Sequence, residues 1–197
     1  MSIDETEVNV GTDVNVDVDM DEAEGHPCGY RRVGPRRYRE VLGFYYEEFN
    51  PGDTFEHRPG RTVTEMDNVL MSMLSMNASP LHIDAAYCEH TGWGRPLVSS
   101  LVTLSIVGGM SARSTSGRAV ANLGWDNVRL SEPVFAGDTL YAHSVILSKR
   151  LSRSRPGDGI VACRTTGVKS TGEVVLTFDR SFLVPTRGNA LPDKTGY

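Results

Sequence analysis

The chain has 197 residues, 39% of them hydrophobic, a formal net charge of −5 and three cysteines. That length suits one domain of roughly 150 residues plus a tail, able to bury about two-thirds of its unfolded surface. A mildly acidic chain without a coherent basic face argues against nucleic acid as the main partner. Cys28, Cys88 and Cys163, odd in number and without a CxxC, read as reduced thiols and not as a disulfide framework or a zinc site.

Residues 1–29 form a separate compositional zone. They hold Asp4, Glu5, Glu7, Asp13, Asp17, Asp19, Asp21, Glu22 and Glu24 with no lysine or arginine, which predicts a solvated, disordered tail. The start of the chain has neither a basic segment nor an apolar signal core, so a cytoplasmic location is expected. A basic cluster follows at Arg31, Arg32, Arg36, Arg37 and Arg39 and reads as a linker. The folded part is expected to begin near Val41, turn at Asn50-Pro51-Gly52 and run as a short strand from Phe55 to Pro59. Here His57, between Glu56 and Arg58, reads as a surface residue.

Thr64 with Asp67 in the first turn marks a helix start, and Val69, Leu70, Met73 and Leu74 recur at helical spacing toward Met76. Asp84 can cap a second short helix, stopped by Thr91-Gly92. Residues 96–113 predict a long helix, apolar nearly all round and therefore buried. Ser99, Ser100, Thr103, Ser105 and a Gly108-Gly109 pair interrupt it, and it falls short of the ~18 to 20 apolar residues of a membrane span. Four strands are expected over 119–130, 139–151, 159–168 and 173–184, joined by turns and arranged as an antiparallel meander. Residues 186–197 read as a short polar end. The expected organisation is therefore a tail and linker over 1–40, one α+β domain over 41–186 with a curved antiparallel sheet around a buried helix, and a C-terminal tail over 187–197.

The densest chemical signal is Ser75-Met76-Asn77-Ala78-Ser79-Pro80-Leu81-His82-Ile83-Asp84. It resembles the active-site segment of the MaoC-like (R)-specific enoyl-CoA hydratase family, whose pattern reads S-G-D-x-N-P-x-H-x-D. Ser75, Pro80, His82 and Asp84 match, whereas Met76 replaces the glycine and Asn77 the aspartate. The itaconyl/mesaconyl/β-methylmalyl-CoA branch carries a similar Met-Asn-x-x-Pro-Leu-His-x-Asp segment. The likeness to that branch continues through residues 94–98, 121–126, 133–140 and 152–157. It implies a single hotdog domain, an acyl-thioester substrate (on CoA or a carrier protein), a homodimer or higher assembly, and no membrane or nucleic-acid partner. No metal or cofactor is implied beyond the coenzyme A of the substrate.

Adding water across a Cα–Cβ bond needs a base for the water, an acid for the α-carbon and donors for the enolate oxygen. Histidine side chains exchange protons near neutral pH, which suits His82 to the first two tasks. Asn77 can hold the water through its amide but cannot take a full proton, and a missing general base typically costs ~10² to 10⁴-fold in rate. Three explanations stand at this point: His82 acts alone with Asn77 positioning water, Asp84 supplies a carboxylate, or the reaction is not hydration. Ser100, with Ser99 beside it, occupies the place of the family glycine whose backbone N–H faces the thioester oxygen. Arg153, Arg155 and Arg95 are candidates for the coenzyme A phosphates, and Met66, Met71, Met73 and Met76 for adaptable packing or an acyl channel. The alternatives to a hydratase are a hotdog thioesterase, a silent acyl-CoA-binding protein and a biosynthetic dehydratase on a carrier-bound chain.

Overall fold

The computed structural model describes residues 29–196, so the acidic tail and Cys28 lie outside the described residues. In chain order the elements are β1 (Gly29–Gly34), β2 (Arg37–Val41), β3 (Thr54–Thr62), α1 (Glu65–Ser75), α2 (Pro80–Ile83), α3 (Ala85–Glu89), α4 (Ser100–Ser114), β4 (Ala121–Leu130), β5 (Thr139–Leu151), β6 (Asp158–Lys169), β7 (Val174–Pro185) and α5 (Leu191–Thr195). The four later strands and the long helix thus fall where period and turn residues place them.

Their order in the sheet differs from a simple meander. Five strands run antiparallel in the order β3-β5-β6-β7-β4. β5, β6 and β7 follow one another as expected, but β4 lies beside β7, with Trp125 opposite Arg180, and β3 takes the place next to β5. The crossing is made by residues 131–138, whose backbone is held by the segments it passes: Val98 N–H donates to Val134 O at 2.9 Å and Val63 N–H to Asp138 O at 2.9 Å.

Alternate residues of the strands point inward, including Leu140, Ala142, Ser144 and Ile146 of β5 and Phe178, Arg180, Phe182 and Val184 of β7. α4 packs on this inner face through Val102, Thr103, Ile106, Val107 and Ser111. Glycines set its approach. A Cβ at Gly167 would stand 2.6 Å from Val107, and one at Gly108 would stand 2.9 Å from the Trp125 ring. The helix is not buried all round, however: Leu101, Ser105, Gly109 and Arg113, spaced four apart, form an exposed stripe because the sheet covers only one side of it. Beyond the end of α4 the core continues as a cluster of Phe44, Phe49, Ile146, Val161, Phe182 and Val184, with Phe44 and Phe55 edge to face at 4.7 Å.

A polar layer separates the two apolar clusters. His57 is buried, 2% exposed, and not the surface residue its charged neighbours predict. Strand alternation turns it inward while Glu56 and Arg58 face out. Its Nδ1 lies 2.7 Å from Ser114 Oγ and its Nε2 2.8 Å from Ser144 Oγ, which in turn meets Thr165 Oγ1 at 2.7 Å. Arg180, also buried, donates to Thr115 Oγ1 at 3.0 Å. Burial, then the positive charge of Arg180, lowers the His57 pKa to about 4, so the ring is neutral at physiological pH and its two nitrogens are shared by the two serines.

The arginine-rich segment read as a linker pairs into the hairpin β1–β2. The segment read as a polar end contains α5, where Asp193 accepts the Tyr45 hydroxyl at 2.5 Å. Arg39 of β2 donates to Gly196 O.

Candidate active site

α1 delivers the motif. Its first turn is closed by Asp67, which accepts the Thr64 N–H at 2.8 Å and whose pKa lies below the usual carboxylate value: backbone and side-chain bonds from Thr64 and Arg61 outweigh its desolvation. It ends at Met76, which takes φ 57° and ψ 21°, the left-handed region that favours the glycine of the family pattern. This reversal throws Asn77 off the helix axis. Its Oδ1 accepts the Ser79 N–H at 3.3 Å, which leaves the Nδ2 end of the amide as the available donor. Pro80 opens α2 at its first position, where a missing N–H costs nothing.

His82 sits on α2 with its ring fixed from one side. Nδ1 lies 2.8 Å from the carbonyl oxygen of Leu97. A carbonyl only accepts, so the neutral ring carries its proton on Nδ1 and leaves the Nε2 lone pair bare. The strand-like contact that makes this possible is Leu97 N–H to Leu81 O at 3.0 Å. Cys88, fully buried on α3, points its thiol at the same Leu81 carbonyl and holds α3 beneath the loop.

The start of α4 completes the arrangement. Ser99 is its cap: Ser99 Oγ accepts the Leu101 N–H at 3.4 Å, while the Ser99 N–H donates to Asn68 Oδ1 at 2.8 Å. Buried Ser99 thus spends its N–H on Asn68 and a lone pair of its hydroxyl on the first turn of α4. The Ser100 N–H, first of the helix, has no acceptor among the described residues. Only Val98 and Ser99 separate it from Leu97, whose carbonyl holds His82.

The other candidates divide. Asp84 accepts the Tyr87 N–H at 2.9 Å and caps α3, so its carboxylate has a structural use and makes no bond to His82. Arg95, two residues from Leu97, stacks its guanidinium 4.0 Å above the Phe135 ring, whose centroid lies 6.1 Å from that of Trp93. Arg153 and Arg155 lie on the β5–β6 turn, at the opposite end of β5 from residues 131–138; Arg155 pairs with Asp158 at 2.9 Å. A single chain does not bring those two to His82. Of the four methionines, Met71 lines an open groove of about 410 Å³ between α1 and α4, with Leu70, Leu74, Ile106 and Met110; Met66, Met73 and Met76 are exposed. A larger cavity of about 520 Å³ lies beyond the far end of α4, bounded by Arg31, Arg39 and Arg118, and includes none of the residues around His82. Among the described residues no three His, Cys, Asp or Glu side chains gather as metal ligands.

Asn68 is the residue the sequence reading missed. Asn68, 4% exposed, places its amide between α1 and the start of α4. The available signal was a polar stripe, Asn68 and Ser72 one turn apart, on the side of α1 opposite its apolar residues.

Comparison with known proteins gives the family. Mesaconyl-CoA hydratase of Cereibacter sphaeroides is 32% identical over 76% of this chain and 43% of its own length. β-Methylmalyl-CoA dehydratase of Chloroflexus aurantiacus is 31% identical over 76% of this chain and 42% of its own. The chain thus spans less than half the length of these curated relatives. A Mycobacterium tuberculosis protein described as a double hotdog fold superposes with a TM-score of 0.69 at 26% identity, covering 76% of this chain and 48% of that one. The family described as MaoC like domain matches residues 48–168, and with the hotdog sheet and the His82 loop in place, this chain belongs to it.

Proposed function

We propose that the protein is a hydratase/dehydratase that adds water to, or removes it from, the Cα–Cβ bond of an enoyl/3-hydroxyacyl-CoA pair. The observation that carries this reading is the bond from His82 Nδ1–H to Leu97 O, which leaves Nε2 as a bare base. In the hydration direction Nε2 takes a proton from water as the water oxygen bonds to the β-carbon. The electrons of the double bond move toward the thioester oxygen, where the unpartnered Ser100 N–H is suited to receive the developing charge. The imidazolium then returns its proton to the α-carbon, so one water is added and His82 is restored. Asn77 Nδ2 directs the water, and with Asp84 engaged as a cap, His82 is the base.

The names of the relatives support a branched dicarboxylyl-CoA as the substrate class. A homodimer is also proposed. α1 exposes its apolar side, with Val69, Leu70, Met73 and Leu74 at 41%, 50%, 73% and 82%, and β4 is an open sheet edge bearing exposed Leu123 and Leu130. A second copy covering both would take the place of the other half of a double hotdog. The buried free thiols of Cys88 and Cys163 suit a cytoplasmic setting.

The test is incubation of purified protein with mesaconyl-, itaconyl- and straight-chain enoyl-CoA thioesters, followed by mass spectrometry. Gain of one water on an intact thioester supports the proposal. Free thiol would mark a thioesterase, and binding without turnover a silent acyl-CoA carrier; either overturns it.

A further inference from the structure

α1 turns most of its apolar side outward. Met66, Val69, Leu70, Met73 and Leu74 are exposed and only Met71 packs half-buried on the core, whereas Asn68 and Ser72 are its buried residues. An amide taken from water without partners costs about 1–3 kcal/mol, so a helix that had only to pack would not bury one there. Asn68 meets this cost with two bonds to a single short segment. Its Nδ2 donates to Leu97 O at 3.0 Å, and its Oδ1 accepts the Ser99 N–H at 2.8 Å.

Those two partners are the anchors of the site's two halves. Leu97 O is the carbonyl that receives the His82 Nδ1–H, so it accepts two hydrogen bonds, one from each side. Ser99 caps α4 and directly precedes the free Ser100 N–H. One planar amide therefore spans the carbonyl that orients the base and the residue that roots the oxyanion donor. Because one end of the amide faces a carbonyl and the other an N–H, its orientation has a single solution.

We infer that Asn68 is a positioning residue that clamps His82 and the start of α4 in register, an inference that rests on the hydratase reading above. With Asn68 in place the Leu97 peptide cannot swing, the His82 ring keeps its proton on Nδ1, and Nε2 stays at a set distance from the Ser100 N–H. Without it, the Leu97 carbonyl is held by His82 alone and the Ser99 N–H is left buried and unpaired. Misplacement of a reacting group by about 1 Å costs on the order of 10²-fold in rate.

Two variants and two readouts test this. In Asn68→Ala, kcat is expected to fall by ~10 to 10²-fold with KM little changed, since the clamp acts on orientation and not on substrate contact. Nitrogen NMR of the His82 ring is expected to show the proton on Nδ1 in the wild type and a mixture of tautomers in the variant. This second readout needs no turnover, so it judges the clamp even if the protein hydrated none of the thioesters. Asn68→Asp has the same size and still accepts from Ser99, which covers the case in which Asn68→Ala does not fold. Its carboxylate beside the His82–Leu97 bond favours the imidazolium, and the acid limb of kcat/KM is expected to move to higher pH. A lowered melting temperature with wild-type kcat, KM and ring tautomer in Asn68→Ala would overturn the inference and leave Asn68 a packing residue. An unchanged tautomer and pH profile in Asn68→Asp would do the same.

Discussion

Acid should destabilise this fold through His57. The ring is 2% exposed and lies between two serine hydroxyls that it bonds as a neutral group. Burial lowers its pKa from 6.5 to about 4, with Arg180, His143 and Arg58 adding repulsion for the charged form. In the unfolded chain the ring takes up a proton near pH 6.5, whereas in the folded chain it does so only near pH 4. The unfolded state therefore binds more protons between those values, and stability falls as pH falls through them. The contribution of this group is fully present above pH 6.5, declines from there to pH 4, and amounts to about 3 kcal/mol. Urea unfolding at pH 7 and at about pH 4.5, for the wild type and for His57→Gln, isolates it. Other groups titrate in both proteins, so the informative quantity is the wild-type loss minus the variant loss. An excess loss of about 2 to 3 kcal/mol in the wild type is expected. Parallel curves for the two proteins would refute the reasoning, because they would mean that His57 is protonated alike in the folded and unfolded states.

Asp84→Ala removes the cap of α3 and should cost about 1 kcal/mol in urea unfolding while changing kcat by less than ~10-fold; a loss of ~10² or more would make Asp84 a base after all. Met76→Gly relieves a left-handed φ of 57° at the end of α1 and should stabilise the protein by up to about 1 kcal/mol; an unchanged unfolding midpoint would contradict the strain. Leu74→Glu places a charge on the most exposed part of the apolar side of α1, and sedimentation should show a dimer for the wild type and a shift toward monomer for the variant. A monomeric wild type would remove the proposed dimer.

Much of the fold is written in local signals, and what is not local was misread. The inward residues of β5 and β7 alternate, and Gly- and Pro-containing turns bracket each strand, so these elements are legible one at a time. The pairing of β4 with β7 depends on where residues 131–138 cross, which no local period encodes. His57 was hidden by its charged neighbours, although the strand period itself turns it away from both. For α1 the period marks the helix but not its partner: Val69, Leu70, Met73 and Leu74 face out, because an apolar side seeks a partner that need not lie in the same chain. At the site, Asn77 and His82 became candidates through the motif of residues 75–84, and Ser100 through the family glycine whose place it takes. Asn68 was not, since its meaning lies in a contact with residues 97–99, far along the sequence.

The central claim is that His82 Nε2 activates water for attack on the β-carbon. The most direct measurement is turnover of an enoyl-CoA substrate in ¹⁸O-labelled water by the wild type and by His82→Ala, with the label located by fragmentation of the product. The account predicts one ¹⁸O on the β-carbon of an intact thioester in the wild type, and a loss of at least ~10²-fold in the variant. Label in a freed carboxylate, or β-labelling that persists undiminished in His82→Ala, would contradict it.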